Sequence, residues 1–186
     1  NQPYVTHGDS INIKLSSIVY SQTPTTIESV SYLPFSDTSM STKLDYNKIW
    51  SLEKSFVVPK NIPYSFHYWL KNIPESGRYV LDSQNIIEKP VNDAVFSVSV
   101  GVKISDHTLT FNVPVRYKWI DPVEGEKYRT TSVVPPVAVN FNDNVCLLIN
   151  NKPGKLKLTV RSLSKSFTGK IKLNVPSGYI ANPSEF

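Results

Sequence analysis

Apolar and polar residues alternate through much of this chain, and the alternation constrains the fold more than any other feature of the sequence. In residues 96–102 every even-numbered residue is Phe or Val, and every odd-numbered residue is Ser or Gly. A period of two places the apolar side chains on one face of a β-strand and the polar ones on the other. A second such run, residues 108–115, follows a turn at residues 105–107. The two runs therefore predict a β-hairpin.

Short runs of this kind recur, and no segment of eleven or more residues shows the 3.6-residue period of a capped amphipathic helix. The ten Tyr, eight Phe and three Trp, beside a single Met, also favour strands. These features predict an all-β chain of immunoglobulin-like antiparallel β-sandwiches. The other predicted strands are residues 10–15, 26–32, 48–57, 65–70, 77–81, 133–141, 145–149, 155–162 and 169–175.

The chain is predicted to contain two domains. Pro135 and Pro136 lack the backbone N–H groups that a central strand needs, so they mark a boundary. We assign residues 1–116 to a first sandwich, residues 117–135 to a connector, and residues 136–186 to a second sandwich. The second has about half of the ~100 residues of an immunoglobulin-like sandwich, so we expect it to be short or truncated.

The formal net charge of +5 raises the question of nucleic-acid binding. The basic residues between Lys152 and Lys172 alternate with apolar ones, which predicts a solvated strand face, and no nucleic-acid motif is present. Apolar runs such as residues 145–149 are far shorter than the ~20 residues of a membrane-spanning helix, so we expect no span. A single cysteine, Cys146, excludes an intrachain disulfide and a cysteine-based zinc site, and its apolar neighbours predict burial.

Residues 121–129 hold the densest acidic cluster of the chain. Paired carboxylates serve in glycosidases and bind Ca²⁺, so a self-standing hydrolase that uses Asp121, Glu124 or Glu126 stays open as an alternative. No calcium-loop, histidine metal-binding or Gly-rich phosphate motif occurs, and we expect no catalytic residue, metal ligand or cofactor in these residues. The favoured interpretation is a structural connector, fixed by carboxylate bonds to loop N–H groups or arginines. It comprises Asp121, Glu124, Gly125, Glu126, Tyr128 and Arg129.

The aromatic run at residues 63–70, PYSFHYWL, is the other notable feature. Exposed aromatic rings offer flat apolar faces on which sugar rings stack, whereas buried rings fill sandwich cores. Both interpretations stay open, because alternation places the side chains of this run on two faces. The candidate ligand-binding residues are Tyr64, His67, Tyr68, Trp69 and Trp119.

The same aromatic run, followed by GRYV at residues 77–80, resembles a Pro-Tyr-Ser-x-Pro-Tyr-Trp-Leu…Gly-x-Tyr pattern. Residues 114–129 (PVRYKWIDPVEGEKYR) and residues 133–137 resemble Pro-Val-x-Tyr-x-x-x-Asp-Pro-Val-x-Gly-Glu-x-Tyr-Arg…Pro-Pro-Val. Both patterns belong to the region after the catalytic domain in bacterial LmbE-like (PIG-L type) deacetylases. Residues 156–183 are similar to the sandwich domain called NPCBM-associated. The chain departs from these patterns where His67 replaces Pro and Tyr179 replaces Trp.

The resemblance implies a function. LmbE-like enzymes hold zinc with a His-Pro-Asp-Asp type motif and a distant His, and they remove acetyl groups from substrates containing N-acetylglucosamine. That motif does not occur in this sequence. The resemblance therefore implies a non-catalytic, extracytoplasmic accessory module that binds a glycan or positions its partner, an N-terminal zinc-dependent catalytic domain. The alternative is a structural or protein-interaction sandwich with no ligand of its own. The first residues carry neither Met nor a signal pattern, so we expect a fragment of a longer chain.

Overall fold

The structure, a computed structural model, describes residues 2–87, 89–143, 145–148, 152–164 and 167–186. It divides into two compact units, Asn1–Pro135 and Pro136–Phe186. The strands form several antiparallel ladders and one parallel pair, so the predicted all-β class is confirmed. Within the described residues, no helix has the length and apolar character that crossing a bilayer requires.

Twelve strands are present in the described residues, together with two 3₁₀ helices, Tyr68–Leu70 and Gln84–Ile86. The strands are β1 (Tyr4–Val5), β2 (Ser10–Ser17), β3 (Thr25–Leu33), β4 (Ser36–Leu44), β5 (Trp50–Val57), β6 (Ser97–Ile104), β7 (His107–Pro114), β8 (Arg116–Asp121), β9 (Gly125–Thr130), β10 (Ser132–Val133), β11 (Val137–Phe141) and β12 (Leu158–Ser162).

The first unit contains a four-stranded antiparallel sheet in the order β4-β3-β6-β7. The predicted hairpin is confirmed, with Val100 of β6 directly opposite Phe111 of β7. Its turn requires a left-handed residue, and Ser105 has a φ of 52° there. β4 is a strand that alternation did not predict, because its sequence, SDTSMSTKL, is almost entirely polar.

A second, two-stranded sheet of β2 and β5 packs on the first. The core between them consists of alternate residues from the facing strands, such as Ile13 of β2 and Val30 of β3. Phe35 extends this core through two ring stacks, at 4.6 Å from Phe56 and 5.4 Å from Phe96 between centroids. Burying this many aliphatic and aromatic side chains is the main stabilising contribution to such a fold.

Residues 117–135, which we expected to connect two domains, lie within the first unit. They contain most of the antiparallel hairpin β8-β9 and then β10, which pairs in parallel with β1. The predicted strands at residues 65–70 and 77–81 are wrong. The first forms a loop that ends in a 3₁₀ helix, and near the second only an isolated bridge joins Glu75 and Arg78.

The described residues of the second unit form one antiparallel ladder, β11-β12, and an isolated bridge between Lys172 and Glu185. None of its described residues is buried. The strand predicted at residues 169–175 is therefore reduced to that bridge, and residues 145–148 form no strand, while Ile149 lies outside the described residues. The predicted burial of Cys146 is also wrong, since this residue is exposed.

Candidate functional site

The aromatic run is held against the first unit by backbone contacts to β10. Ser65 N–H donates to the carbonyl of Val133 at 2.7 Å, and Val133 N–H donates to Ser65 Oγ at 3.0 Å. Val133 is fully buried, so this two-bond connection is shielded from water. The run therefore begins at a fixed point of the sandwich before it turns outward.

The Asn92 side chain fixes the next part of the run. Its Nδ2 donates to the carbonyl of Phe66 at 2.5 Å, and its Oδ1 accepts from Tyr68 N–H at 3.0 Å. Tyr68 Oη in turn donates to the carbonyl of Lys89 at 3.2 Å. Asn92 lies 24 residues along the chain from Tyr68, so nothing in the local sequence pattern indicated this role.

Two of the predicted ligand-binding residues form a flat stack. The rings of His67 and Trp69 lie 4.5 Å apart between centroids, with an angle of 14° between their planes. Tyr68 meets Trp69 edge-on at 4.9 Å and 89°. Trp69 and Tyr68 are partly exposed and His67 is exposed. We call His67, Tyr68 and Trp69 the aromatic surface. Asn92 holds its backbone, and the ring contacts orient its side chains against one another.

Charged and amide groups lie a few residues beyond the aromatic surface. Lys71 forms an ion pair with Asp82, and Asn72 Nδ2 donates to Asp82 Oδ1 at 2.9 Å. These two bonds hold the pKa of the Asp82 carboxyl below its usual value, the Lys71 bond having the larger effect. Asp82 is thus a carboxylate at neutral pH, and Lys71, two residues after Trp69, pairs with it.

The other two candidates lie elsewhere in the first unit. Tyr64 stacks on His7 at 4.8 Å, and His7 Nε2 lies 2.7 Å from the carbonyl of Ile62. Trp119 is on β8 and stacks on Tyr117, two residues before it on the same strand face, at 5.9 Å. The five predicted residues therefore form three separate ring clusters.

The acidic cluster closes the β8-β9 hairpin. Asp121 Oδ1 accepts from the N–H groups of Val123 and Glu124, both at 2.9 Å, which is the loop bonding that we predicted for a carboxylate there. Gly125 has a φ of 77°, a conformation that favours glycine.

The remaining groups of the cluster are Glu124, in the turn, and three residues of β9. Glu124 pairs with Lys127 and Glu126 with Lys118, so the ion pairs involve lysines where we expected arginines. Tyr128 receives the Lys118 ammonium 5.7 Å from its ring centroid, while Arg129 lies opposite Tyr117 in the ladder. Among the described residues, no group of three or more His, Cys, Asp or Glu side chains could hold a metal ion.

Comparison with family models, with curated proteins and with solved structures finds no match for this chain.

Proposed function

We propose that this chain is a non-catalytic accessory module of an extracytoplasmic LmbE-like (PIG-L type) deacetylase, and that its aromatic surface binds a glycan. The observation that carries the proposal is the stack of His67 on Trp69, whose ring planes are nearly parallel and whose side chains are both reached by solvent. The C–H groups on one face of a sugar ring pack on such a surface, while its hydroxyls need nearby donors and acceptors. In this proposal, zinc belongs to the catalytic domain.

The strand order supports an immunoglobulin-like interpretation of the first unit. The order β7-β6-β3-β4 corresponds to strands G, F, C and C′, and the β2-β5 pair corresponds to strands B and E. The second unit has about half the ~100 residues of such a domain, and none of its described residues is buried, so we infer that it corresponds to only part of a second sandwich. Modules of this type present ligand sites on loops that a rigid sandwich positions, and the aromatic surface is on a loop of this kind.

A fluorescence titration with N-acetylglucosamine oligomers tests the glycan part of the proposal. We expect the tryptophan emission of the wild-type chain to change on binding. Trp69→Ala removes the responding tryptophan, so its affinity is measured by calorimetric titration, and it should be about fivefold weaker, because one aromatic stacking contact contributes roughly 1 kcal/mol.

Trp119→Ala is the matched control, because it makes the same substitution in a ring stack outside the aromatic surface. It should leave the affinity unchanged. Loss of binding in Trp119→Ala but not in Trp69→Ala would move the site to the β8-β9 hairpin. No response of the wild-type chain to any oligomer would refute glycan binding.

A protein-interaction module without a ligand of its own is the second candidate function. It is favoured by large apolar side chains that are exposed on β7, which include Leu109 and Phe111. Calorimetric titration against an LmbE-like catalytic domain tests it. Heat of binding there, with none from glycans, would favour this candidate over the first.

A further inference from the structure

The inner face of β7 is uncovered. Leu109, Phe111 and Val113 lie directly opposite Val102, Val100 and Val98 in the β6-β7 ladder. Opposite residues of an antiparallel pair share a sheet face, so all six point to the side on which β2 and β5 pack. The three β6 residues are at most 9% exposed, whereas the three on β7 are 45–48% exposed.

The inner face of β7 is uncovered because the larger sheet has four strands and the sheet that packs on it has two. The two strands β2 and β5 share a buried core with β3 and β6, and no strand of the described residues lies beside β2 over β7. A cavity of about 680 Å³ lies between the end of β2 and the four-stranded sheet, and it reaches Phe111 and Val113 of β7. It is lined by the end of β2, the loop that follows it, and residues of β3, β4, β6 and β7, and none of its lining residues is charged.

β7 also has an unprotected backbone edge. Ile104 and His107 close the hairpin, and Val115 N–H donates to the carbonyl of Phe96, so odd-numbered residues of β7 bond to β6. Thr108, Thr110 and Asn112 therefore direct their N–H and C=O groups to the free edge.

The other edge strand of the same sheet is protected in the usual ways. β4 carries Asp37 and Lys43, and its ladder with β3 contains a register shift. β7 has no charged residue, Pro or shift between residues 108 and 113. An edge of this composition is expected to pair with another strand.

We propose that a second copy of this chain supplies the missing strand. β7 of the second copy inserts beside β2 of the first copy and over its β7. In the same way, β7 of the first copy inserts beside β2 of the second. The result is a two-fold dimer with two six-stranded sheets, each in the order β5-β2-β7-β6-β3-β4. In each sheet, β5 and β2 come from one copy, and β7, β6, β3 and β4 come from the other. Each copy offers one vacant groove and one strand that fits it, which is the self-complementarity that a two-fold interface requires.

The chemistry of strand and groove agrees. The inserted strand brings Leu109, Phe111 and Val113 towards a cavity lining that contains no charged residue, so its apolar face meets no charge there. The same three residues of both copies then pack together at the dimer centre. The free N–H and C=O groups of both β7 edges gain partners on β2.

Sedimentation equilibrium of the 186-residue chain tests this dimer. We expect a dimer for the wild type. Phe111→Asp should weaken it by more than about 100-fold, because an apolar anchor is replaced by a charge in both copies. Thr110→Pro should also abolish it, because the proline removes an N–H at the free edge and leaves the β6 ladder intact. Thr110→Val is the matched control, and it should dimerise like the wild type.

Circular dichroism of each variant shows whether the monomer keeps its fold, so that loss of the dimer is not mistaken for unfolding. A wild-type monomer up to about 1 mM, the weak end of the affinity scale, would overturn the proposal. A monomer that binds a neutral apolar dye in a Phe111-dependent way would also overturn it and assign the cavity to a small molecule. A dimer that resists Phe111→Asp but not Thr110→Pro would show edge-to-edge pairing of β7, which the proposal excludes.

Discussion

β6 in the first unit and β12 in the second share a pattern of alternation but have different surroundings. Both alternate apolar and polar residues, and both pair with a neighbouring strand in an antiparallel ladder. Val100 on β6 is nevertheless only 6% exposed, whereas Val160 on β12 is 50% exposed. The difference is the second layer, because β2 and β5 pack on the face that holds Val100, while no described residue of the second unit is buried.

This contrast separates two properties of a strand: which side chains share a face, and whether that face is buried. A period of two determines which side chains share a face of a strand. Burial of that face requires an opposing sheet, and a two-stranded ladder alone is marginally stable in water. The first unit therefore contains the cooperative core of the described chain, and the second unit lacks one of its own.

The largest expected effect comes from removing a ring in each unit. Phe96→Ala should lower the free energy of unfolding of the first unit by about 3–5 kcal/mol, because Phe96 is 1% exposed and leaves a cavity. Phe167→Ala makes the same change at a half-exposed ring of the second unit, and it should alter the free energy of unfolding of the chain by less than about 0.5 kcal/mol. Urea denaturation measures both values. Equal losses in the two variants would contradict the contrast.

A smaller effect of opposite sign is expected at a buried hydroxyl. Tyr32 is fully buried, and its Oη has no hydrogen-bond partner among the described residues. Tyr32→Phe should therefore raise the free energy of unfolding by about 1 kcal/mol. Tyr179→Phe in the second unit is the control, because Tyr179 is exposed, and it should change stability by less than about 0.5 kcal/mol. A destabilised Tyr32→Phe variant would show that this hydroxyl has a partner.

The same hydroxyl predicts a dependence on alkaline pH. Burial raises the pKa of Tyr32 above its usual value of 10.0, so the folded chain holds this proton more tightly than the unfolded chain. The stability from this group is complete below pH 10 and is lost as the pH rises towards the higher folded pKa. Denaturation curves above pH 10 should therefore fall more steeply for the wild type than for Tyr32→Phe. Parallel curves would contradict the assignment.

The smallest effects are expected from surface ion pairs, which should not distinguish the units. Lys118 pairs with Glu126 in the first unit, and Lys170 lies 2.9 Å from Glu185 in the second. All four side chains are well exposed, so Lys118→Met and Lys170→Met should each change stability by no more than about 0.5 kcal/mol. High salt should remove even that difference. A larger loss in either variant would mean that its pair is shielded from water.

The sequence predicted those strands in which apolar residues alternate, such as β2, β3, β6 and β7. The sequence did not predict β4, because an almost entirely polar strand is specified by the strands beside it. It also did not predict β8-β9, where charged residues concealed the alternation of Tyr117 and Trp119. Residues 65–70 alternate as a strand does, yet the Asn92 side chain occupies the backbone groups that a ladder would use.

The candidate site was predictable only in its residue types. The aromatic run left a sugar-binding surface and core packing both open. Distant contacts then hold its backbone through Asn92 and place Tyr64 on His7, apart from the stack of His67 on Trp69. The uncovered inner face of β7 could not be predicted, because it results from the number of strands in each sheet and not from any local sequence pattern.

The indole N–H signals of the three tryptophans provide the most direct test of the proposed function. In a two-dimensional ¹H–¹⁵N spectrum, Trp50, Trp69 and Trp119 each give one such signal, and N-acetylglucosamine oligomers can be added up to about 10 mM, above the ~1 mM end of the affinity scale. We predict that the Trp69 signal shifts in a saturable way while the signals of Trp50 and Trp119 stay in place. An unmoved Trp69 signal at the highest sugar concentration would contradict the assignment of the aromatic surface as a glycan site.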